Sequence, residues 1–309
     1  MQKILIGLLL VLTAVYAKIE DFRVGTWNLQ GSSASTENKW QVSVRQLVTG
    51  DNPINILMLQ EAGSVPNSAR RTGRMVQPGG TPVEEYIWEL GTISRPRSVF
   101  IYYADIDVGA RRVNLAIVSD RMADEVIVVH QNTIATEASR PALGIRIGTD
   151  VFFSLHALAS GGGDATALVT AIHDHFMNMP QITWLIAGDF NREPANLLSG
   201  LDSRVTSNIR IVSPNTATHF SSRGTNRILD YAVVGNTQAP GVQVSLPALS
   251  AILAAASVRS YLSSDHFPVR FGRFVDLEFY PYDVPDYAGY PYDVPDYAGS
   301  YPYDVPDYA

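Results

Sequence analysis

Residues 184–191 have the sequence WLIAGDFN, in which an apolar run leads directly into Gly188-Asp189-Phe190-Asn191. The apolar half belongs to the run Ile182–Ala187, which is typical of a buried β-strand, and the polar half lies where that strand would end. Gly, Asp and Asn also favour β-turns, so the second half alone would predict only a turn. Its position directly after a buried strand favours a functional role for Asp189 and Asn191.

Nine further runs of β-branched or aromatic residues, bounded by Gly, Pro, Asn or Asp, also predict strands. They are Phe22–Leu29, Ile54–Leu59, Val99–Tyr103, Asn114–Ser119, Glu125–Val129, Leu143–Ile147, Val151–Leu158, Ile228–Val234 and His266–Phe271. Helical patterns are fewer: Trp40–Val48, and Asp164–Met177 with Asp164 placed to cap its first turn. Residues 62–85 are rich in Gly, Pro, Ser and Arg and predict a long exposed loop. About ten strands with interspersed helices indicate one α/β sandwich.

The two ends of the chain differ from the rest. Lys3, the mostly apolar Ile4–Val15 and then Ala17 predict a secretion signal at residues 1–17. That apolar stretch is short for a membrane span of about 20 residues, and a retained anchor is the alternative. Residues 280–309 contain three copies of YPYDVPDYA, an appended epitope tag. The remaining 18–279 is long enough for one large domain or two small ones.

Charge and cysteine content exclude several classes of protein. The tag carries six of the 30 acidic residues, so the formal net charge of -7 falls to -1 without it. The overall charge therefore does not indicate a substrate. The chain has no cysteine, which excludes a disulfide framework, a thiolate nucleophile, a cysteine-ligated zinc and a disulfide-linked partner.

Polar clusters interrupt the predicted strands or follow their ends. Besides Gly188-Asp189-Phe190-Asn191 they are Thr26-Trp27-Asn28, Gln60-Glu61, His156 and Ser264-Asp265-His266. Polar groups at the ends of buried strands cost free energy unless they are paired or used, so several on one rim predict a site.

The residue types in these clusters agree with one chemistry. Asn28, Glu61 and Asp265 offer hard oxygen ligands, which suit Mg²⁺ or Mn²⁺. His156 and His266 suit acid–base catalysis near neutral pH, although an isolated histidine on a strand is more often a core residue. Asp230 lies within the apolar run Leu229-Asp230-Tyr231, where it would hold a histidine in one tautomer or merely cap a turn.

The clusters, in this order and spacing, resemble the DNase I-like superfamily, which includes DNase I, abasic-site endonucleases, inositol polyphosphate 5-phosphatases and sphingomyelinases. Longer runs resemble the catalytic B subunits of cytolethal distending toxins. These runs are Thr26–Ser33, Val108–Asn114, Ser139-Arg140-Pro141 and Phe153–Ala159. The resemblance covers essentially all of residues 18–275.

The resemblance implies a four-layer α/β/β/α sandwich, with two packed β-sheets flanked by helices, as a catalytic domain at 18–279. It implies a secreted genotoxin that hydrolyses DNA phosphodiester bonds with Mg²⁺, for which Mn²⁺ or Ca²⁺ would substitute or assist. Such toxins act in the nucleus of a target cell and use separate delivery subunits. The alternatives are a phosphoinositide phosphatase with the same site and a catalytically inactive binding protein.

The resemblance also implies roles for individual residues. Asn28 and Glu61 would bind the metal with help from Asp265, and His266 backed by Asp230 would be the base. His156 would bind the scissile phosphate and assist the leaving oxygen, while Asp189 and Asn191 would orient water and phosphate. Arg112 and Arg140 would grip substrate phosphates. A glutamate supports the first histidine in such nucleases, and Glu84 and Glu85 are both candidates.

Three other motifs are interpreted as structural. His173-Asp174-His175 does not predict a metal site, because residues i and i+2 of a helix face different ways; it predicts a solvated helix face. Gly161–Gly163 predicts a turn, since no Gly-Lys-Ser/Thr follows it. Arg70-Arg71 predicts an exposed pair.

Overall fold

The structure is a computed structural model that describes residues 18–31, 36–50, 52–74, 76, 81–106, 113–131, 140–221, 224–237, 246–254, 264–273 and 276. The predicted signal at 1–17 and the tag at 280–309 lie outside these residues, as does Arg112.

Two β-sheets form the centre of the molecule. The first contains β1 (Val24–Asn28), β2 (Ile56–Gln60), β3 (Ala69–Arg71), β4 (Val83–Glu89), β5 (Ser98–Ala104), β6 (Leu115–Ser119), β15 (Ser250–Leu253) and β16 (Val269–Gly272). The second contains β7 (Glu125–Val129), β8 (Ala142–Ile147), β9 (Asp150–His156), β10 (Thr183–Asp189), β11 (Ile209–Val212) and β14 (Asp230–Asn236). Their strand orders are β15-β16-β1-β2-β6-β5-β4-β3 and β11-β14-β10-β9-β8-β7, and β12 (His219–Phe220) pairs with β13 (Asn226–Arg227) in a separate hairpin.

Helical segments cover the outer faces of both sheets. On the first sheet they are α1 (Thr36–Asn38), a π-helical stretch at Lys39–Val44 and α2 (Arg45–Thr49). A 3₁₀ turn at Ile19–Asp21 precedes β1, and α3 (Ala165–His175), α4 (Pro194–Gly200) and α5 (Ser203–Thr206) follow β9 or β10.

Three buried apolar clusters hold the layers together. One lies between the sheets and joins Met58 and Tyr102 to Phe152. The others join each sheet to its helices, as where Trp40 meets Trp88 in an edge-on ring contact with centroids 5.9 Å apart. Burying such side chains is the main stabilising contribution to the fold, at roughly 25 cal/mol per Å² of apolar surface. The predicted four-layer α/β/β/α sandwich is confirmed.

Each of the ten predicted strands has a counterpart, but the prediction for residues 62–85 is wrong. That segment contains β3 and the start of β4, which pair antiparallel at the edge of the first sheet. The start of β4 was not recognised in the sequence because the adjacent carboxylates of Glu84 and Glu85 break the alternation of polar and apolar residues expected of a strand. Both glutamates form ion pairs with arginines at this edge of the sheet. Arg71 Nη2 lies 2.7 Å from Glu84 Oε1, and the guanidinium of Arg74 pairs with the carboxylate of Glu85.

Two predictions about helices also need correction. Asp164 does not cap α3, since its Oδ1 accepts a hydrogen bond from Leu158 N at 2.8 Å in the preceding loop. His173 is not on a solvated face: its side chain is 1% exposed and its ring lies against Asp174, Arg204 and Asn208. His175 is exposed, so the two histidines do face different ways.

The strand register brings the predicted site residues to one end of the sandwich. Parallel β1 and β2 end together, with Asn28 opposite Gln60. Parallel β9 and β10 likewise end together, with His156 opposite Asp189. Antiparallel β14 begins at that edge, where Asp230 stands opposite Asp189.

Candidate active site

Asp189 is the centre of the polar cluster at this end of the sandwich. Its Oδ2 accepts a hydrogen bond from Asn28 Nδ2 at 3.0 Å and lies 3.7 Å from both His156 Nε2 and His266 Nε2. Its Oδ1 accepts from Asn191 N at 2.8 Å. One buried carboxylate therefore joins both sheets and both histidines.

Gly188 explains how Asp189 reaches this position. A Cβ at residue 188 would stand 1.9 Å from Leu155 O on the neighbouring strand, so only glycine fits. The close pairing of β9 and β10 at this point brings His156 and Asp189 to one edge.

His266 is held by a second buried carboxylate. Its Nδ1 lies 2.8 Å from Asp230 Oδ2, which leaves Nε2 directed at Asp189 and Asp265, each 3.7 Å away. Asp230 is itself fixed by Thr218, whose Oγ1 accepts hydrogen bonds from Leu229 N and Asp230 N at 2.9 Å. A histidine bonded through Nδ1 to a carboxylate is oriented to use Nε2 for proton transfer.

His156 is buried differently. Among the residues that the structure describes, the carboxylates within 4.0 Å of its Nε2 are those of Asp189 and Glu61, the latter at 3.8 Å. Its Nδ1 has no hydrogen-bond partner among the described residues. The proposed support by Glu84 or Glu85 is wrong, because both bind arginines at the sheet edge.

The three expected metal ligands lie along the other side of the cluster. Asn28 Nδ2 donates to Glu61 Oε1 at 3.3 Å, while Asn28 Oδ1 accepts from Gln30 N at 3.0 Å. In this orientation the amide aligns the carboxylates of Glu61 and Asp189. Asp265 Oδ1 is buried with no hydrogen-bond partner among the described residues, as expected of an oxygen that serves a ligand.

The backbone is strained at the same place. Among the described non-glycine residues, positive φ values occur at Gln30 (47°), Glu61 (45°), Asn191 (49°) and Asn52 (52°), and the first three belong to this cluster. Such conformations cost on the order of 1–3 kcal/mol each and persist where the surroundings impose them. Gly31 N donates to Glu61 O at 2.8 Å, which ties two of the strained loops together.

The buried charges shift the pKa values of the two histidines in opposite directions. Burial, with the positive charge of Arg140 nearby, lowers the pKa of His156 to about 3. Burial also lowers the pKa of His266, but the carboxylates of Asp230, Asp189 and Asp265 outweigh it and raise the value to about 10. Burial and the charge of Asp230 raise the pKa of Asp189 to about 7. Pairs of groups driven apart in this way are typical of acid–base sites.

Arg140 lies at the rim of this cluster. Its Nη1 donates to Ala157 O at 3.1 Å, the same carbonyl that accepts from Asn191 Nδ2 at 3.0 Å. Arg112, the second predicted phosphate contact, lies outside the described residues. The cluster thus brings together nine of the ten predicted site residues.

Sequence reasoning missed two neighbours. The ring of His219 lies 4.6 Å from that of His266, tilted by 55°, and its Nε2 is 3.4 Å from Asp265 Oδ2. Lys39 is 4% exposed, and its Nζ donates to Leu29 O at 2.5 Å and Gln30 O at 3.0 Å. Burial lowers the pKa of Lys39, while Glu61 and Asp265 oppose that shift. The sequence around His219 contains no motif that would place it at the site. Lys39 lies at the start of a helical pattern, which does not predict that its side chain reaches the site.

A second missed feature joins the sheets behind the site. Thr26 Oγ1 donates to Gln60 Oε1 at 3.2 Å, and Gln60 Nε2 donates to Ser154 Oγ at 2.9 Å. Ser154 Oγ in turn donates to Leu59 O at 3.1 Å. This buried network links β1 and β2 of the first sheet to β9 of the second, next to Glu61 and His156.

Comparison with known proteins identifies relatives. The profile of the Endonuclease/Exonuclease/phosphatase family matches residues 25–266. The B subunit of the cytolethal distending toxin from Escherichia coli is 45% identical over 279 residues, which cover 88% of this chain and 100% of the relative. A homolog of the cytolethal distending toxin B subunit from Salmonella typhi is 47% identical over 261 residues, covering 82% of this chain and 90% of the relative.

Solved structures agree. A chain in the crystal structure of the Haemophilus ducreyi cytolethal distending toxin is 51% identical, with a TM-score of 0.76 over 83% of this chain and 99% of that chain. The corresponding structure from Actinobacillus actinomycetemcomitans is 50% identical with a TM-score of 0.76, over 83% of this chain and 99% of that chain.

Proposed function

The chain belongs to the endonuclease/exonuclease/phosphatase family, within it to the cytolethal distending toxin B subunits, and we propose that it is a divalent-metal-dependent endodeoxyribonuclease that damages DNA. Membership makes it a DNase I-like hydrolase of the nuclease and phosphatase family. The preference for DNA and the dependence on Mg²⁺ are parts of the proposal.

One observation carries the proposal. His156 ends β9 of the second sheet and His266 precedes β16 of the first, and both direct Nε2 at Asp189 Oδ2 from 3.7 Å, with acidic oxygens on either side. Two imidazoles that face one point can serve the two sides of a phosphorus centre, one toward the attacking water and the other toward the leaving oxygen. A catalytically inactive binding protein would not need this arrangement.

The side chains fit a hard divalent cation. Glu61 and Asp265 are acidic, and both act electrostatically on Lys39, so their charges converge. Asp265 Oδ1 is buried without a hydrogen-bond partner among the described residues. Carboxylate oxygens are the ligands that Mg²⁺ prefers, and Mn²⁺ and Ca²⁺ accept them too. Glu61, Asp265 and the amide oxygen of Asn28 would hold the ion, and Asn28 Nδ2 would align Glu61.

A bound divalent cation would stabilise negative charge on the phosphate oxygens and offset the carboxylates that raise the pKa of His266. His266 then accepts the proton of the attacking water at Nε2, while Asp230 holds Nδ1 and stabilises the imidazolium. Asp189 and Asn191 orient the water and the phosphate. His156 donates a hydrogen bond to the phosphate and assists the leaving oxygen, and Arg140 holds a neighbouring phosphate.

Nicking of supercoiled plasmid tests the metal requirement. We expect nicking with Mg²⁺, its loss to background in excess EDTA, and its return when Mg²⁺ is restored, because charge on the phosphate would otherwise stay uncompensated. Glu61→Gln keeps the shape of the side chain and removes its charge, so it should shift the Mg²⁺ dependence to higher concentration. Full activity in EDTA would contradict the proposal.

Phosphoinositides are the alternative substrate, since the same family includes phosphatases. Release of inorganic phosphate from phosphoinositide vesicles, measured with the protein batch that is assayed for nicking, separates the two. We expect wild type to nick the plasmid and expect nicking to be lost when Asp189 or His266 is replaced. Phosphate release without nicking would instead assign the site to phosphomonoesters.

We further propose that residues 1–17 direct secretion and are removed, that 18–279 is the catalytic domain, and that 280–309 contributes nothing to activity. Among the described residues, no helix is long and apolar enough to cross a membrane. Action in the nucleus of a target cell, with separate delivery subunits, is proposed from the family resemblance. The first residue of protein recovered from culture medium tests the cleavage site, and retention of residues 1–17 would contradict it.

A further inference from the structure

We propose that His219, Asp265 and His266 form a binding site for a borderline-soft divalent cation, Zn²⁺ in particular, whose occupancy blocks the catalytic base. The inhibitory effect rests on the proposed nuclease function; the binding site does not. It differs from the oxygen site at Glu61 and Asp265 because two of its three ligands are imidazole nitrogens.

The three ligand atoms are already close. One ligand atom from each residue lies within 4.8 Å of the others. His219 Nε2 lies 3.4 Å from Asp265 Oδ2, and His266 Nε2 lies 3.7 Å from Asp265 Oδ1. Two ligand atoms each about 2.1 Å from a tetrahedral ion stand about 3.4 Å apart, so small side-chain rotations would place all three on one ion.

The surroundings favour a cation with nitrogen ligands. His266 donates through Nδ1 to Asp230 at 2.8 Å, which is the carboxylate–histidine arrangement that orients a metal-bound imidazole. Asp265 and Asp230 supply negative charge, against the positive charge of Arg227, which stands opposite His219 in the β12–β13 hairpin. Imidazole favours Zn²⁺ over Mg²⁺, which prefers oxygen ligands.

The site is also reachable. The Asp265 side chain is 39% exposed, whereas those of His219 and His266 are 13% and 7% exposed. Two largely buried imidazoles therefore line the floor, and the carboxylate stands at the entrance. This leaves the outer side of the ion to water, as in zinc sites that have three protein ligands.

Occupancy has a direct chemical consequence. A cation on His266 Nε2 takes the lone pair that would accept the proton of water. It also takes Asp265, which the oxygen site shares. Zinc should therefore inhibit in the presence of Mg²⁺, and the inhibitory zinc concentration should rise with the Mg²⁺ concentration because the two sites share Asp265.

Calorimetry with Zn²⁺ and the visible spectrum of bound Co²⁺ test binding on the full chain at a fixed Mg²⁺ concentration. We expect one zinc per chain, a tetrahedral Co²⁺ spectrum, and loss of nicking at the concentration that fills the site. His219→Gln should weaken zinc binding at least about tenfold. It should raise the inhibitory concentration by the same factor, relative to the variant's own activity with Mg²⁺ alone.

His175→Gln is the matched control, because His175 is exposed on α3 and lies outside the cluster. It should leave zinc affinity and inhibition unchanged. Equal affinity of wild type and His219→Gln would overturn the site, as would no zinc binding by wild type. A His219-dependent Co²⁺ spectrum in a protein that does not nick DNA would instead keep the site and reject the nuclease.

Discussion

The two ends of β9 each carry a buried ionisable side chain, yet only one belongs to a site. Asp150 begins the strand and is 3% exposed; His156 ends it and is 5% exposed. Each has one polar atom without a hydrogen-bond partner among the described residues, Asp150 Oδ2 and His156 Nδ1. Burial raises the pKa of Asp150 to about 7 and lowers that of His156 to about 3.

The ends differ in what surrounds the two groups. His156 faces the carboxylates of Asp189 and Glu61, with strained backbone at Glu61 and Asn191. Asp150 accepts a hydrogen bond from the backbone of Ile19, and the nearest charges are those of Lys18, Glu20 and Asp21 in the same turn. A shifted pKa in a buried group therefore does not identify a site by itself. Convergence of several such groups from different strands does.

The strongest way to break this comparison is to remove the imidazoles. We expect His156→Ala and His266→Ala each to reduce the rate of plasmid nicking by about 10²- to 10⁴-fold, as loss of a general acid or base typically does. Circular dichroism should stay unchanged, because both side chains lie at the end of the sheets and not in the apolar layers.

His175→Ala is the control for the histidine pair, since the exposed ring of His175 contacts only Phe176 among the aromatic rings of the described residues. His173 is less suitable than the sequence suggested, because it is buried beside Arg204. Wild-type nicking by a correctly folded His156→Ala or His266→Ala protein would remove that histidine from the mechanism.

The sequence predicted the active end of β9 well because its signals are local. Apolar runs marked the strands, and a polar residue at the end of each run marked the rim, as for His156, Asp189 and Glu61. Parallel pairing then placed these ends at one edge. The four-layer fold itself came from the family resemblance, because short strands alone do not determine sheet order.

What the sequence could not predict depends on distant partners. His219 reaches His266 only because the β12–β13 hairpin folds back, with Phe220 N donating to Asp265 O. Glu84 and Glu85 were candidates for His156 until strand pairing at the sheet edge gave them to Arg71 and Arg74. Asp164 has the sequence of a cap, but its carboxylate serves the loop at Leu158 instead.

A smaller effect, on DNA affinity, is expected when Arg140 at the rim of the site is changed. The chain without its tag is nearly neutral, so DNA binding should depend on a few arginines. Arg140→Ala should weaken DNA binding about tenfold, as loss of a charge-assisted hydrogen bond does. It should also flatten the slope of log affinity against log salt by about 0.9, the share of one phosphate contact. Fluorescence anisotropy across a salt series measures both.

Arg70→Ala is the matched control for Arg140, because Arg70 is an exposed arginine paired with Glu89 at 3.5 Å on the far edge of the first sheet. Its salt slope should equal that of wild type. With Arg112 and Arg140 as the two contacts, the wild-type slope should be about -2. An unchanged slope and affinity in Arg140→Ala would remove Arg140 from the DNA contacts.

No effect on nicking is expected from a change at Asp150, at the other end of β9. Asp150→Asn keeps an oxygen that can accept from Ile19 and removes the charge. An aspartate whose pKa is raised in the folded protein binds more protons folded than unfolded, so stability falls as pH rises between the two pKa values. For Asp150 this window runs from 3.8 to about 7, and the shift corresponds to at most about 4 kcal/mol.

Urea unfolding at pH 5 and pH 8 separates the two ends of the strand. Wild type should lose more stability than Asp150→Asn between these pH values, because only wild type must ionise the buried carboxyl. Asp105→Asn, at an exposed carboxylate, should follow wild type. Equal losses of stability in wild type and Asp150→Asn would show that Asp150 is already charged in the folded protein at pH 5. A loss of nicking in Asp150→Asn would extend the functional region along the whole of β9 and end the contrast between its two ends.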